Sequence, residues 1–119
     1  MRSLILMITT TIGLSALTTM CAGEEMKAAA SSDNLVLAGH DFALEVCSAC
    51  HVVAKGQKSA PILKPPAPSL LAIARRQRST ESFLRHFLSS PHGKMPDPQL
   101  AEFQIDEVVA YMLSLKHRN

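Results

Sequence analysis

Residues 47–51 read Cys-Ser-Ala-Cys-His, and the role of this pentad decides what the rest of the chain must build. Two cysteines three positions apart with an imidazole directly after them can form a redox disulfide, half of a zinc site, a structural disulfide, or a covalent seat for a prosthetic group. The residues leading in read as a helix from Leu35 to His51. Phe42, Val46 and Cys50 recur every four residues, with Leu35, Ala38 and Ala43 on neighbouring positions. A helix turns by about 100° per residue, so Cys47, Cys50 and His51 fall within an arc of about 100° and face one neighbour.

Three of the four roles meet physical objections. A thioredoxin-type pair opens a helix after a strand, within alternating strands and helices; here the pair closes a helix and no such alternation follows. A structural zinc ion takes four ligands, yet there is no second cysteine pair. His86 and His92 are six apart with no cysteine near them. A disulfide at this spacing is strained and leaves His51 without a task. A haem uses all three side chains: its vinyl groups take thioether bonds from Cys47 and Cys50, and His51 reaches the iron from one side. Cys-x-x-Cys-His is the attachment signal of c-type haem, so one covalently bound haem c is the expected cofactor.

The iron's sixth position then sets the chemistry. Met26, Met95, Met112, His40, His86, His92 and His117 are the candidates. Met112 lies on the apolar stripe of the last helix, where a methionine is core filler. Met26 is in the polar start of the chain, and His40 shares a helix with His51 and cannot easily reach the opposite face. Met95 lies in "PHGKMPDP", residues 91–98, with Pro91 before it and Pro96 and Pro98 after it. Prolines stiffen a loop, and a weak thioether bond needs a stiff support. A loop methionine can also plug a gap, and His92 is the competing ligand. Two histidines would lower the potential, whereas His/Met ligation raises it.

Outward from this centre, Arg2 is the only charge before Glu24, and Leu4 to Leu17 is apolar apart from Thr and Ser. With Ala22 and Gly23 following, residues 1–23 read as a cleaved signal peptide. An uncleaved anchor is the alternative, but five threonines make a poor lipid helix. Cys21 lacks the preceding residues of a lipoprotein box. The expected location is the periplasm, where Cys47 and Cys50 meet oxidising conditions. Residues 24–34 are small and polar and read as a flexible start. The remainder suits one domain. Aromatic residues make up 4 % of the chain and there is no Trp, so something else must fill the centre.

Val52 to Pro68 contains Gly56 and four prolines, a stretch expected to wrap over something. A short helix is predicted from Ser69 to Arg76. A second follows a cap at Ser79 or Thr80, with Phe83, Leu84, Phe87 and Leu88 as its stripe and Pro91 as its end. A third covers residues 103–118, with Ile105, Val108, Val109, Met112 and Leu113 at helical spacing and acids before bases. No strand and no repeat is evident. The fold class is all-α.

Residues 35–119 resemble a small bacterial class I c-type cytochrome. "GHDFALEVCSACH", residues 39–51, resembles the first helix of that family, in which a glycine at the place of Gly39 permits a close crossing with the last helix. Tyr111 matches the aromatic residue of that last helix. "HGKMP" resembles the axial-methionine loop and points to Met95. "PSL", from Pro68 to Leu70, resembles the proline segment whose carbonyl holds the proximal histidine, a role the resemblance carries to Pro68. The implied fold is several short helices and long loops wrapped around one haem. Two departures are Ala43, where many relatives have Phe, and the proline-rich loop from Val52 to Pro68.

The resemblance implies a one-electron carrier, not an enzyme, working between periplasmic or membrane redox partners. A haem subunit of a dehydrogenase is an alternative. So is a sensor or peroxidase with a displaceable sixth ligand, in which His86 or His92 would act; the Met-Pro pair argues against it. Between His51 and Met95 lie eight Lys and Arg against Glu81 alone, although the net charge is only +2. Such a basic segment, if it rings the haem edge, steers the protein to an acidic docking surface. The reading has a monomer that meets a membrane only through a membrane-bound partner. Nucleic acid is excluded as a target, because the compartment is wrong and base-stacking aromatics are absent.

Overall fold

The computed structural model describes residues 22–90 and 93–118, with side chains from residue 31 onward. Most of the leader assigned to 1–23, together with Cys21, Pro91 and His92, lies outside the described residues. Four helices follow in order: α1 Ala22–Val46, α2 Leu70–Ala74, α3 Glu81–Leu88 and α4 Glu102–Lys116. The fold is all-α. An isolated parallel bridge joins His51 and Ala67.

α1 differs from the sequence reading at both ends. It takes in residues 24–34, where a flexible start is expected. Ala28, Ala29 and Ala30 are strong helix formers, and Glu24 and Glu25 sit where the helix dipole favours acids. At the other end α1 stops at Val46 rather than His51, and residues 47–50 form a turn. Past the turn the backbone bonds go elsewhere: Ile62 N donates to Ala49 O (2.9 Å) and Ala67 N to Cys50 O (3.0 Å), so the returning loop takes the acceptors that a helix running on beyond residue 52 would have used. The amides of Val53 and Ala54 turn instead to Gln57 Oε1, at 2.6 and 3.4 Å.

α4 is the spine. α1 packs most extensively against it, and α2 and α3 each rest on it. Its buried face comprises Ile105, Val108, Val109, Tyr111, Met112 and Leu115, while Leu113 is half-buried. The crossing with α1 falls at the buried Gly39. A Cβ there would overlap the backbone carbonyl of Glu107 and stand 3.0 Å from Tyr111 Cβ. Tyr111, 1 % exposed, donates its hydroxyl to Val53 O (3.0 Å) and meets the His40 ring edge-on at 5.2 Å. The first helix, the start of the long loop and the last helix are joined at this one side chain.

Both shorter helices have side-chain caps, and Thr80 is one of the two caps the sequence offers for α3. Ser69 Oγ accepts from Ala72 N (3.1 Å), and Thr80 Oγ1 accepts from Phe83 N (3.3 Å). Arg85 on α3 pairs with Glu81 on its own helix and with Asp106 on α4. No helix among the described residues is long and apolar enough to cross a membrane.

Candidate functional site

A cavity of about 700 Å³ opens between the 47–51 turn, the loop that follows it, α2, α3 and α4. Cys47, Cys50, His51, Pro68 and Met95 all contribute to its wall. Five residues singled out from three separate parts of the chain therefore face one space. The rest of the wall is largely apolar, with Leu70, Phe83, Leu84, Val108 and Met112. Met112 is thus both core filler and cavity wall. His40, His86 and His117 do not line it, and His92 lies outside the described residues.

His51 is held by a bond that fixes its chemistry. Its Nδ1 lies 2.7 Å from Pro68 O. A carbonyl can only accept, so Nδ1 carries a proton and donates it, and in the neutral ring this makes Nε2 the atom with the lone pair. An imidazole fixed in this way is oriented as a metal ligand. The bond spans 17 residues, and it forms because the bridge to Ala67 runs the returning chain alongside His51.

The cysteines are not bonded to each other. Burial, followed by the neighbouring Cys50, pushes the Cys47 thiol up to about 11. Redox-active and metal-binding cysteines instead have a depressed pKa that favours the thiolate. A neutral, half-buried thiol is the opposite of what an exchange centre needs. Among the described residues, no three His, Cys, Asp or Glu side chains are grouped to hold a metal ion by themselves.

Haem c fits this donor set: one imidazole with a free Nε2, one thioether, and two neutral thiols set at a mostly hydrocarbon wall. The size of the space points the same way. Packed interiors contain few voids larger than a water molecule, and a short domain cannot leave about 700 Å³ unfilled beside its core.

The chain is 38 % identical over 94 residues to cytochrome c-552 of Bradyrhizobium diazoefficiens, a match that spans 75 % of this chain and 88 % of the relative. It belongs to the small c-type cytochromes. No family model and no solved structure matches it.

The cytochrome's cavity also has members that the sequence reading did not single out from the basic segment. Lys64, Arg76, Arg78 and Lys94 line it. In the sequence they are part of the basic segment between His51 and Met95, and nothing in their spacing separates a cavity-lining cation from a solvated one. Two other members of that segment are turned elsewhere. Arg85 is taken by Glu81 and Asp106, and the Arg75 guanidinium donates to Arg118 O (2.8 Å).

Proposed function

We propose that this cytochrome is a one-electron carrier that holds a single haem c through Cys47 and Cys50, with His51 and Met95 as axial ligands. The observation that carries the reading is the convergence of both thiols, the oriented imidazole and the loop thioether on one apolar cavity. When bound, haem c supplies the ferric–ferrous couple. The chain tunes and insulates it. Pro68 O fixes the His51 ring and makes it a better donor. The soft sulfur of Met95 favours ferrous iron, and the apolar wall disfavours the extra charge of ferric iron, so both raise the potential.

The leader reading places this chemistry in the periplasm, and the partner is a redox protein with an acidic docking surface. Lys64 and Lys94 are exposed at the cavity wall. Beside Lys64, Ile62 is 80 % exposed and Leu63 is 46 % exposed. An apolar tip beside a cation suits brief contact with an acid-rimmed surface.

The test is made on protein produced with haem-attachment machinery. An added mass of one haem supports the reading; a loss of two hydrogens indicates a Cys47–Cys50 disulfide and ends it. The oxidised protein should then show the weak near-infrared band of methionine ligation, and Met95→Ala should abolish it. The same band in the variant would remove Met95 from the iron.

A further inference from the structure

We infer that Gln57 is a positioning residue for the axial histidine: its carboxamide ties down the strap behind the pentad and so fixes the seat of His51, an inference that rests on the haem reading above. The need for it arises in the backbone. In a continuing helix the amides of Val53 and Ala54 would donate to Ala49 O and Cys50 O. Those carbonyls accept from Ile62 N (2.9 Å) and Ala67 N (3.0 Å) instead. Val53 is 2 % exposed, where an amide without a partner is costly.

Gln57 meets that need and reaches further. Its Oε1 accepts from Val53 N at 2.6 Å and, at greater length, from Ala54 N at 3.4 Å. Its Nε2 donates to Ser59 O at 2.8 Å and, again at greater length, to His51 O at 3.5 Å. A carboxamide has two acceptor and two donor positions, and every one is used. The side chain can turn back on the strap because the backbone reverses at Gly56, φ +76°, with Gln57 N donating to Ala54 O (3.4 Å).

His51 is thereby held at ring and backbone together. Its Nδ1 donates to Pro68 O (2.7 Å), its amide donates to Cys47 O (2.9 Å), and its carbonyl accepts from Gln57. Two residues on, Val53 is gripped at both of its backbone polar atoms, the amide by Gln57 and the carbonyl by the Tyr111 hydroxyl (3.0 Å). Pro68 sets which way the imidazole faces; Gln57 sets where its backbone stands. Supports behind a metal ligand orient it and tune its strength as a donor. The arrangement is specific to a carboxamide. Glutamate, ionised at neutral pH, would keep the acceptor and turn its second oxygen on two carbonyls. Leucine would keep the size and offer neither.

The test uses the haem-loaded protein, with its haem confirmed by mass, and reads amide hydrogen exchange together with the paramagnetically shifted ring signals of His51. In the parent the Val53 amide should exchange slowly and His51 should give one sharp set of signals; fast exchange at Val53 overturns the inference. In Gln57→Leu that amide should exchange about tenfold faster, and the His51 signals should move or broaden. A looser imidazole donates less to ferric iron, so at fixed ambient potential the oxidised-to-reduced ratio should fall several-fold. Gln57→Glu should keep Val53 slow yet move the His51 signals, because only the donors are gone. Thr80→Ala removes the α3 cap and controls for stability alone: it should lower Tm and leave the His51 signals and the ratio as in the parent. Parent-like His51 signals in Gln57→Leu, or the same displacement in Thr80→Ala, refute the positioning role. If Gln57→Leu fails to mature, Gln57→Glu and the parent exchange still decide. A parent without haem mass overturns the haem reading instead.

Discussion

Replacing Gly39 with alanine tests the α1–α4 crossing on which the cavity depends. The new Cβ would meet the Glu107 carbonyl and Tyr111 Cβ, and the first of these is backbone that cannot rotate aside. Relief requires α1 and α4 to separate, which disturbs the packing of Tyr111 and its bond to Val53 O. Overpacking costs about 1–3 kcal/mol, and a backbone clash belongs at the upper end. Against it stands a gain of about 1 kcal/mol, because alanine is the better helix former. The net loss is about 2 kcal/mol, which lowers Tm by roughly 8–16 °C in a domain of this size. The assay is a thermal melt of the holoprotein followed by far-ultraviolet circular dichroism. Gly56→Ala is the control: its φ is +76° with nothing within 4 Å, so it carries only a conformational cost of about 1 kcal/mol. A Gly39→Ala protein as stable as the parent, or more stable, would refute the close crossing.

Tyr111→Phe keeps the ring but leaves Val53 O without its donor in a buried setting, so denaturant titration should show a loss of about 1–3 kcal/mol. Tyr111 is the only tyrosine, which makes its ionisation visible by ultraviolet difference absorption. Burial raises its pKa, against a smaller lowering by Arg118. The neutral phenol therefore contributes stability that is fully present below about pH 10 and is lost as pH rises through the higher folded value. Titration at the ordinary pH, without loss of structure, would contradict the burial. Electron transfer to an acidic partner should slow as salt rises, in proportion to screening of Lys64 and Lys94; a rate flat with ionic strength removes the steering.

The pentad at 47–51 stood out in the sequence because the haem attachment proposed for it needs particular atoms at a particular spacing. Met95 could be singled out because prolines surround it, and Gly39 and Tyr111 through the family resemblance. The end of α1 was not legible. Helical periodicity runs on through Cys50, but residues 47–50 form a turn, and the carbonyls of Ala49 and Cys50 are then taken by Ile62 and Ala67, donors 13 and 17 residues away, so no helix continues past it. The start of α1 was missed for another reason: small residues such as Ala28–Ala30 suit both a linker and a helix. The cavity-lining cations were hidden because charge along a chain carries no information about which side of a turn it will occupy. Arg85 and Arg76 look alike in sequence, yet one is neutralised by acids and the other is not.

The dependence of the pocket on α4 has a consequence for the life of the chain. Val108 and Met112 wall the cavity, and Tyr111 clips both the opening helix and the strap after the pentad, so the chamber is complete only once α4 is docked. Cutting α4 away would not trim this molecule; it would unroof it.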